Sequence, residues 1–438
     1  MKVKVMWLMV AAMMVACSFQ AGAQTLSMED DAYYEWTETA SQRLHKGATY
    51  TAYSWVNVPR RMHVLEIDLT TRGLDIVPVV ADDIIPNPNG NKNRLNGYCI
   101  RETLSQICSR YNSEGIGIVA GVNGCGFDSH LGYARGLIVS DGELIYQNYP
   151  KMRDENYGYK HTWSFAVFQD RTAAAGQKEF EGRIRMGKEE IAYDAVNDYI
   201  LRGDEVGSPV NIYTSRYREV PHDGLVNPLL DSAVVYVVAE YVHGPMKVNC
   251  GYSKARVRAV YDGRYARLDK APYLDSPDQV GIQLRGEAAD RAVEVLETGD
   301  MIALRADVTV GGIRKPIKAM ISTMNKFLED GVDRSKEHMK PNDSNLTTHN
   351  PMTFVTISKD GRKVWLIEVD GRRKESLGLK SREMVGIAKK LGGWNLTRFD
   401  GGGSSSMWVR DCGGLVSMPS DKKGERSCLN YLLLRVGR

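Results

Sequence analysis

The densest run of chemically capable residues is Asp400-Gly401-Gly402-Gly403-Ser404-Ser405-Ser406. Three consecutive glycines let the backbone enter conformations closed to other residues and bring its N–H groups close to a ligand. Successive amides in such a turn form an anion-binding nest. The serine hydroxyls add donors, and an aspartate at a strand end can be positioned by its sheet. These parts suit a phosphate grip with a carboxylate beside it. The run is not a P-loop, because no lysine follows the glycines and the spacing differs. The plain structural alternative is a Gly/Ser turn joining two strands.

The elements that must hold this run are legible on either side. Leu396 to Phe399 reads as a strand ending at Asp400, and Lys363 to Val369 as another ending at Asp370-Gly371. Between them a helix from about Ser381 carries Met384, Ile387, Ala388 and Leu391 on one face, with Gly392 placed to end it. Leu429 to Val436 is the last strand. Upstream, Val64 to Leu69 and Leu74 to Val80 are two apolar runs that read as a hairpin. Arg101 to Tyr111 has helical spacing, and Gly115 to Val122 is a short buried strand. Ala233 to Val242 and Met301 to Val310 are strand-like, with Ala288 to Leu296 a helix between them. Met28 to Lys46 reads as a helical or irregular lead-in, and the polar Glu329 to Asn350 as an exposed loop. Strands and helices mix without a βαβ rhythm, so the expected class is α+β, a mixed β-sheet core with packed helices.

The order Val369-Asp370-Gly371, a helix bearing Glu383, then Phe399-Asp400-Gly401-Gly402-Gly403-Ser404-Ser405 resembles the phosphodiester glycosidase family. Gly121-Val122-Asn123-Gly124-Cys125-Gly126-Phe127-Asp128 is similar to that family's Val-Asn-Gly-x-x-Phe segment. Gly136 to Gly142 is similar to the strand and Asp-Gly turn that follow it, and Arg426 and Asn430 match its closing Arg-x-x-x-Asn. The resemblance runs from about Tyr50 to the C-terminus. Three departures stand out: Met352 in Asn350-Pro351-Met352-Thr353 where the family has arginine, Cys125 at a small or polar position, and Arg398 where asparagine is frequent. Methionine cannot supply the arginine's bidentate charge. Arg398 either restores that charge or pairs with Asp400.

The resemblance implies an enzyme that cleaves a sugar-1-phosphodiester. Glycoside cleavage uses one carboxyl group to protonate the departing oxygen and often a second to assist the nucleophile. Asp400, Asp370 and Glu383 are the candidate catalytic residues. Asn123, Gly124, Gly401, Gly402, Gly403, Ser404, Ser405 and Arg426 are the candidate substrate-binding residues. Each has a structural alternative: a turn for Asp370, a first-turn helix carboxylate for Glu383, a turn with Gly124 for Asn123, an ion pair for Arg426. His349 reads as a loop histidine. Cys125 has no paired histidine and is not read as a nucleophile.

The bulk numbers fit an exported globular protein. The 438 residues are 43% hydrophobic and 25% charged, with a formal charge of +3. Removing Lys2 and Lys4 leaves 55 basic residues against 54 acidic ones, so no global field draws the chain to nucleic acid or an anionic membrane. Lys2 and Lys4, an apolar run from Val5 to Ala16 and Ala21-Gly22-Ala23 form a signal peptide, with cleavage after Ala23 favoured over lipid attachment at Cys17. The expected organisation is a signal over 1–23, a lead-in over 24–49 and one phosphodiester-glycosidase-like domain over 50–438. The expected location is the periplasm or cell surface, with no transmembrane segment after signal removal. Cys99 with Cys108 and Cys412 with Cys428 are candidate disulfides by proximity. No metal-ligand spacing appears, so neither metal nor cofactor is expected, although clustered carboxylates could admit a divalent cation. The expected partner is a carbohydrate phosphodiester, and the rival function is non-catalytic binding of a phosphorylated surface glycan.

Overall fold

The computed structural model describes residues 31–87, 101–127, 134–148, 163–198, 210–219, 234–263, 274–337 and 348–437. Cys17, Cys99 and the signal segment lie outside these residues.

The protein is built from sheets, not from helices packed on a sheet. Among the described residues, strands hold 52% and helices 12%. Only three α-helices, Leu104–Ser113, Glu287–Val295 and Glu383–Lys390, occur among the described residues. The α+β expectation is therefore corrected to a predominantly β fold. The apolar segments were found correctly, but most of the chain between them also forms strands, many short or polar on one face.

An eight-stranded antiparallel sheet runs in the spatial order Trp36–His45, Ala48–Trp55, Arg61–Asp68, Lys363–Val369, Met352–Ile357, Asn395–Arg398, Lys326–Glu329 and Val332–Asp333. Its edge strand Trp36–His45 corrects the helical or irregular lead-in. Most of its residues are exposed, so the apolar alternation that marks a half-buried strand is missing. A five-stranded sheet has the order Gly414–Leu415, Met407–Val409, Ile118–Asn123, Asn430–Val436, Leu74–Val80. A twelve-stranded sheet forms the rest, and pairing of Trp163–Phe168 with Ala173–Met186 closes it on itself.

The two runs read as a hairpin are both strands, but they do not pair. Both edges of Arg61–Asp68 are taken, by Ala48–Trp55 and Lys363–Val369. Leu74–Val80 instead pairs with Asn430–Val436 across the layer. A short connection made them look paired; the C-terminal strand supplied the competing edge. The Glu329 to Asn350 loop also needs amendment, since it begins in one strand and contains another, Val332–Asp333.

The central core lies where the sheets face one another. Leu65, Ile67 and Leu366 of the eight-stranded sheet pack with Val122 and Leu432 of the five-stranded one and Ile321 of the twelve-stranded one. The opposite face of the eight-stranded sheet, with Met62, Val64, Phe354 and Ile367, is covered by the Glu383–Lys390 helix and Trp55. Met352–Ile357 is consequently buried at all six positions. The Leu104–Ser113 helix starts at a capping box between Thr103 and Gln106, a device that contributes about 1 kcal/mol. The Glu383–Lys390 helix is followed by Gly392 in the left-handed region, at φ +89°. No helix among the described residues is long and apolar enough to cross a membrane.

Candidate functional site

The two segments with the sharpest chemistry meet. Asn123 ends the fully buried Ile118–Asn123 strand, and its amide is engaged on several sides. Its Oδ1 accepts from the Thr353 hydroxyl at 2.6 Å and from the Ser406 N–H at 3.1 Å. Its Nδ2 donates to the Asp400 backbone carbonyl at 2.9 Å. The Asp400 N–H in turn donates to the Gly124 carbonyl at 3.1 Å. A buried amide with donors and acceptors satisfied by the chain clasps two sheets together.

The glycine turn is walled by guanidinium groups. A Cβ on Gly401 would stand 3.9 Å from Nη1 of Arg398, and one on Gly402 3.0 Å from Nη2 of Arg372. On Gly403 it would run into the Arg426 guanidinium and the Asp421 carboxylate. Gly402 also takes φ +64°, which L side chains rarely adopt. Space as well as backbone freedom thus requires the glycines. Arg426 is held by Asp421 through Nε–Oδ2 at 2.7 Å and Nη2–Oδ1 at 3.1 Å, and its Nη1 reaches the Ser404 hydroxyl at 3.4 Å. Arg372, exposed and at φ +59°, is held by the Asn350 Oδ1 at 2.9 and 3.1 Å. The Ser405 hydroxyl and both amide atoms of Asn430 are buried without a hydrogen-bond partner. Unmet buried polar atoms beside a cationic turn are what an anionic, hydroxyl-bearing ligand would satisfy.

The three candidate carboxylates are not together. Asp400, at the turn, is partly exposed. Asp370 lies two strands away, since Met352–Ile357 separates its strand from that of Asp400; neighbouring strands are about 4.8 Å apart. It is buried, with Oδ1 accepting from the Met418 N–H at 2.5 Å and Oδ2 3.4 Å from Nε2 of His63. Glu383 is on the helix-covered side of the sheet, enclosed with Arg60 at 2.5 Å and the Tyr33 hydroxyl. Its second oxygen accepts from the Lys380 N–H at 2.5 Å and lies 3.6 Å from His349. Thr353 points the other way, because its strand neighbour Phe354 belongs to the helix-covered core. Glu383 is thus separated from the Asn123 clasp by the thickness of a sheet.

Met352 is buried beside Arg398, whose Nη1 is 3.5 Å from its sulfur. Burial pushes the Cys125 thiol up to about 12, with the Asp400 charge adding to the effect, which removes thiolate at neutral pH. Arg135 and Lys178 act on the same sulfur with opposite sign, and burial lowers the Lys178 ammonium to about 7. The expected Cys412–Cys428 disulfide is corrected, since both are free thiols; Cys108 is also a free thiol, and its expected partner Cys99 lies outside the described residues.

Residues 257–435 match the family model described as phosphodiester glycosidase. That stretch is thus similar to a phosphodiester glycosidase domain. The matched stretch contains Asp370, Glu383, the glycine turn and Arg426, and the fold brings Asn123 to it from outside. Among solved structures, a hypothetical protein from Synechocystis aligns at TM-score 0.59 and 15% identity, over 89% of this chain and 62% of that one. This chain therefore spans less than two thirds of that relative. A Burkholderia pseudomallei exported-protein candidate aligns at TM-score 0.56 and 19% identity, over 88% of this chain and 74% of that one. Both show a shared fold. The zebrafish N-acetylglucosamine-1-phosphodiester alpha-N-acetylglucosaminidase catalytic domain, auto-inhibited by its pro-peptide, aligns at TM-score 0.40 and 13% identity, over 91% and 88%, too low to carry an argument. Among curated proteins, none matches.

Sequence reasoning about this site missed Arg372, Thr353, His63 and Glu368. Arg372 directly follows Asp370-Gly371, and its adjacency to a strand-end turn was the available signal. The others become visible only when strands distant in sequence are paired. A separate cavity of about 320 Å³, lined by Asp75, Asp141, Arg171 and Lys318 among others, lies elsewhere. Asp75 sits at the far end of its strand pair from Asn430, which adjoins Gly124, so this cavity is not the glycine-turn site.

Proposed function

We propose that the protein is an exported hydrolase that cleaves the bond between a sugar's anomeric carbon and a phosphodiester. The observation that carries this reading is the clasp of Asn123 and Asp400 beneath a glycine turn ringed by Arg372, Arg398 and Arg426. The arginines hold the phosphate and supply the charge that Met352 cannot. Asp400 is the one candidate carboxylate that combines exposure with position at the turn, and it acts as the acid–base group. Asp370 and Glu383 support the site through their own buried partners. The group expelled is a phosphomonoester, already a good leaving group, so a single well-placed carboxyl group suffices to assist its departure as water takes the anomeric carbon. Export follows from the N-terminal signal pattern.

Purified protein incubated with a panel of sugar-1-phosphodiesters should release free sugar, and Asp400→Asn should lower the rate at least a hundredfold. Saturable binding of the panel without any turnover would support the glycan-binding alternative instead.

A further inference from the structure

The inner face of the eight-stranded sheet holds a second polar cluster, of which the hydrolase reading uses Asp370 only as support and His63 and Glu368 not at all. His63 and Glu368 stand directly opposite each other on adjacent antiparallel strands, and Asp370 follows Glu368 by two residues, on the same face. One ligand-capable atom from each lies within 4.8 Å of the others. All three residues are at most 1% exposed. Neither carboxylate oxygen of Glu368 has a hydrogen-bond partner. A bare buried carboxylate beside a second one is strongly disfavoured, and a proton alone would leave a new O–H without an acceptor.

We propose that His63, Glu368 and Asp370 form a buried site for a divalent transition-metal ion of the zinc or manganese class. The remaining contacts fit this assignment. The Asp370 Oδ1 is taken by the Met418 N–H, which leaves Oδ2 for the ion. The His63 Nδ1 is 2.8 Å from the Tyr50 hydroxyl; with Nδ1–H given to that oxygen, Nε2 keeps its lone pair for the metal. The Nε2–Oδ2 separation is 3.4 Å, and two donors each about 2.1 Å from an ion at the tetrahedral angle are about 3.4 Å apart. One imidazole with two carboxylates favours such an ion over calcium, which takes six or more oxygens. Arg61, 3.7 Å from the Asp370 Oδ2 and 42% exposed, competes with the cation for that oxygen.

The test is Mn²⁺ titration of the full chain after chelator treatment and dialysis, read by loss of the free-ion electron paramagnetic resonance signal. Mn²⁺ is the probe because thiols such as Cys250 and Cys412 compete for it poorly. One equivalent should bind, at least tenfold more weakly in Glu368→Gln and more tightly in Arg61→Ala. No binding by the wild type, or equal binding by Glu368→Gln, overturns the site. Should Glu368→Gln fail to fold, Arg61→Ala decides, and unchanged or weaker affinity there overturns it. This readout involves no sugar substrate, so it stands or falls separately from the hydrolase reading.

Discussion

Asn123 donates its side-chain N–H to the backbone carbonyl of Asp400 at 2.9 Å, and the Asp400 N–H returns to the carbonyl of Gly124 at 3.1 Å. This reciprocal pair, between segments separated by most of the chain, makes the glycine turn a fixed structure instead of a loose connection. Asn123→Ala would strand the Thr353 hydroxyl and the Ser406 N–H inside the protein. Each lost buried partner costs about 1–3 kcal/mol. A urea titration should show a drop of about that size per stranded group, with activity lost in the fraction that remains folded.

The arginine wall predicts a selective loss of anion affinity. Arg372→Ala and Arg426→Ala should each weaken binding of a sugar-1-phosphate roughly tenfold, about 1.4 kcal/mol, as expected for a charge-assisted hydrogen bond. Calorimetry with the matching uncharged glycoside should show no comparable change. Arg426→Lys should recover little, because lysine cannot reproduce the two-pronged contact with Asp421.

Glu383 separates structural support from chemistry. Glu383→Gln leaves Arg60 buried and uncompensated, a change that costs about 3–5 kcal/mol. Chemical denaturation should register that loss. Residual folded enzyme should keep its KM and most of its kcat, whereas a catalytic Glu383 would lower kcat with stability nearly intact.

Acid stability should depend on Asp75. Burial raises its pKa, but Lys318 at 2.7 Å and Arg435 at 3.3 Å overcome this and hold it below the ordinary 3.8. The unfolded chain therefore takes up the proton first as pH falls. The stabilisation is complete above the unfolded value and is lost as pH drops through the lower folded one. Melting temperatures of the wild type should fall more steeply below about pH 4 than those of Asp75→Asn.

The site was legible where chemistry was concentrated in a short run. Asp400, the glycines and the Asn123 segment could be read because glycine and strand-end acids have few other uses in such density. Arg372, Glu368 and His63 were hidden because their meaning arises from register: His63 faces Glu368 only once Arg61–Asp68 pairs with Lys363–Val369. The same limit explains the misread hairpin, since strand identity is local but the choice of partner edge depends on the last strand of the chain. The α+β expectation failed for a related reason. Exposed strands such as Trp36–His45 carry no apolar alternation and left the helices over-weighted.

The central claim is that a phosphodiester sits on the glycine turn between the Asn123 clasp and the arginines. A crystal structure with a soaked sugar-1-phosphate tests it most directly. The account predicts phosphate oxygens within about 2.7–2.9 Å of the Arg372 or Arg426 guanidinium, with the anomeric carbon beside the Asp400 carboxylate. A ligand found instead in the cavity near Asp75 and Lys318, or none at the turn at saturating concentration, would contradict it.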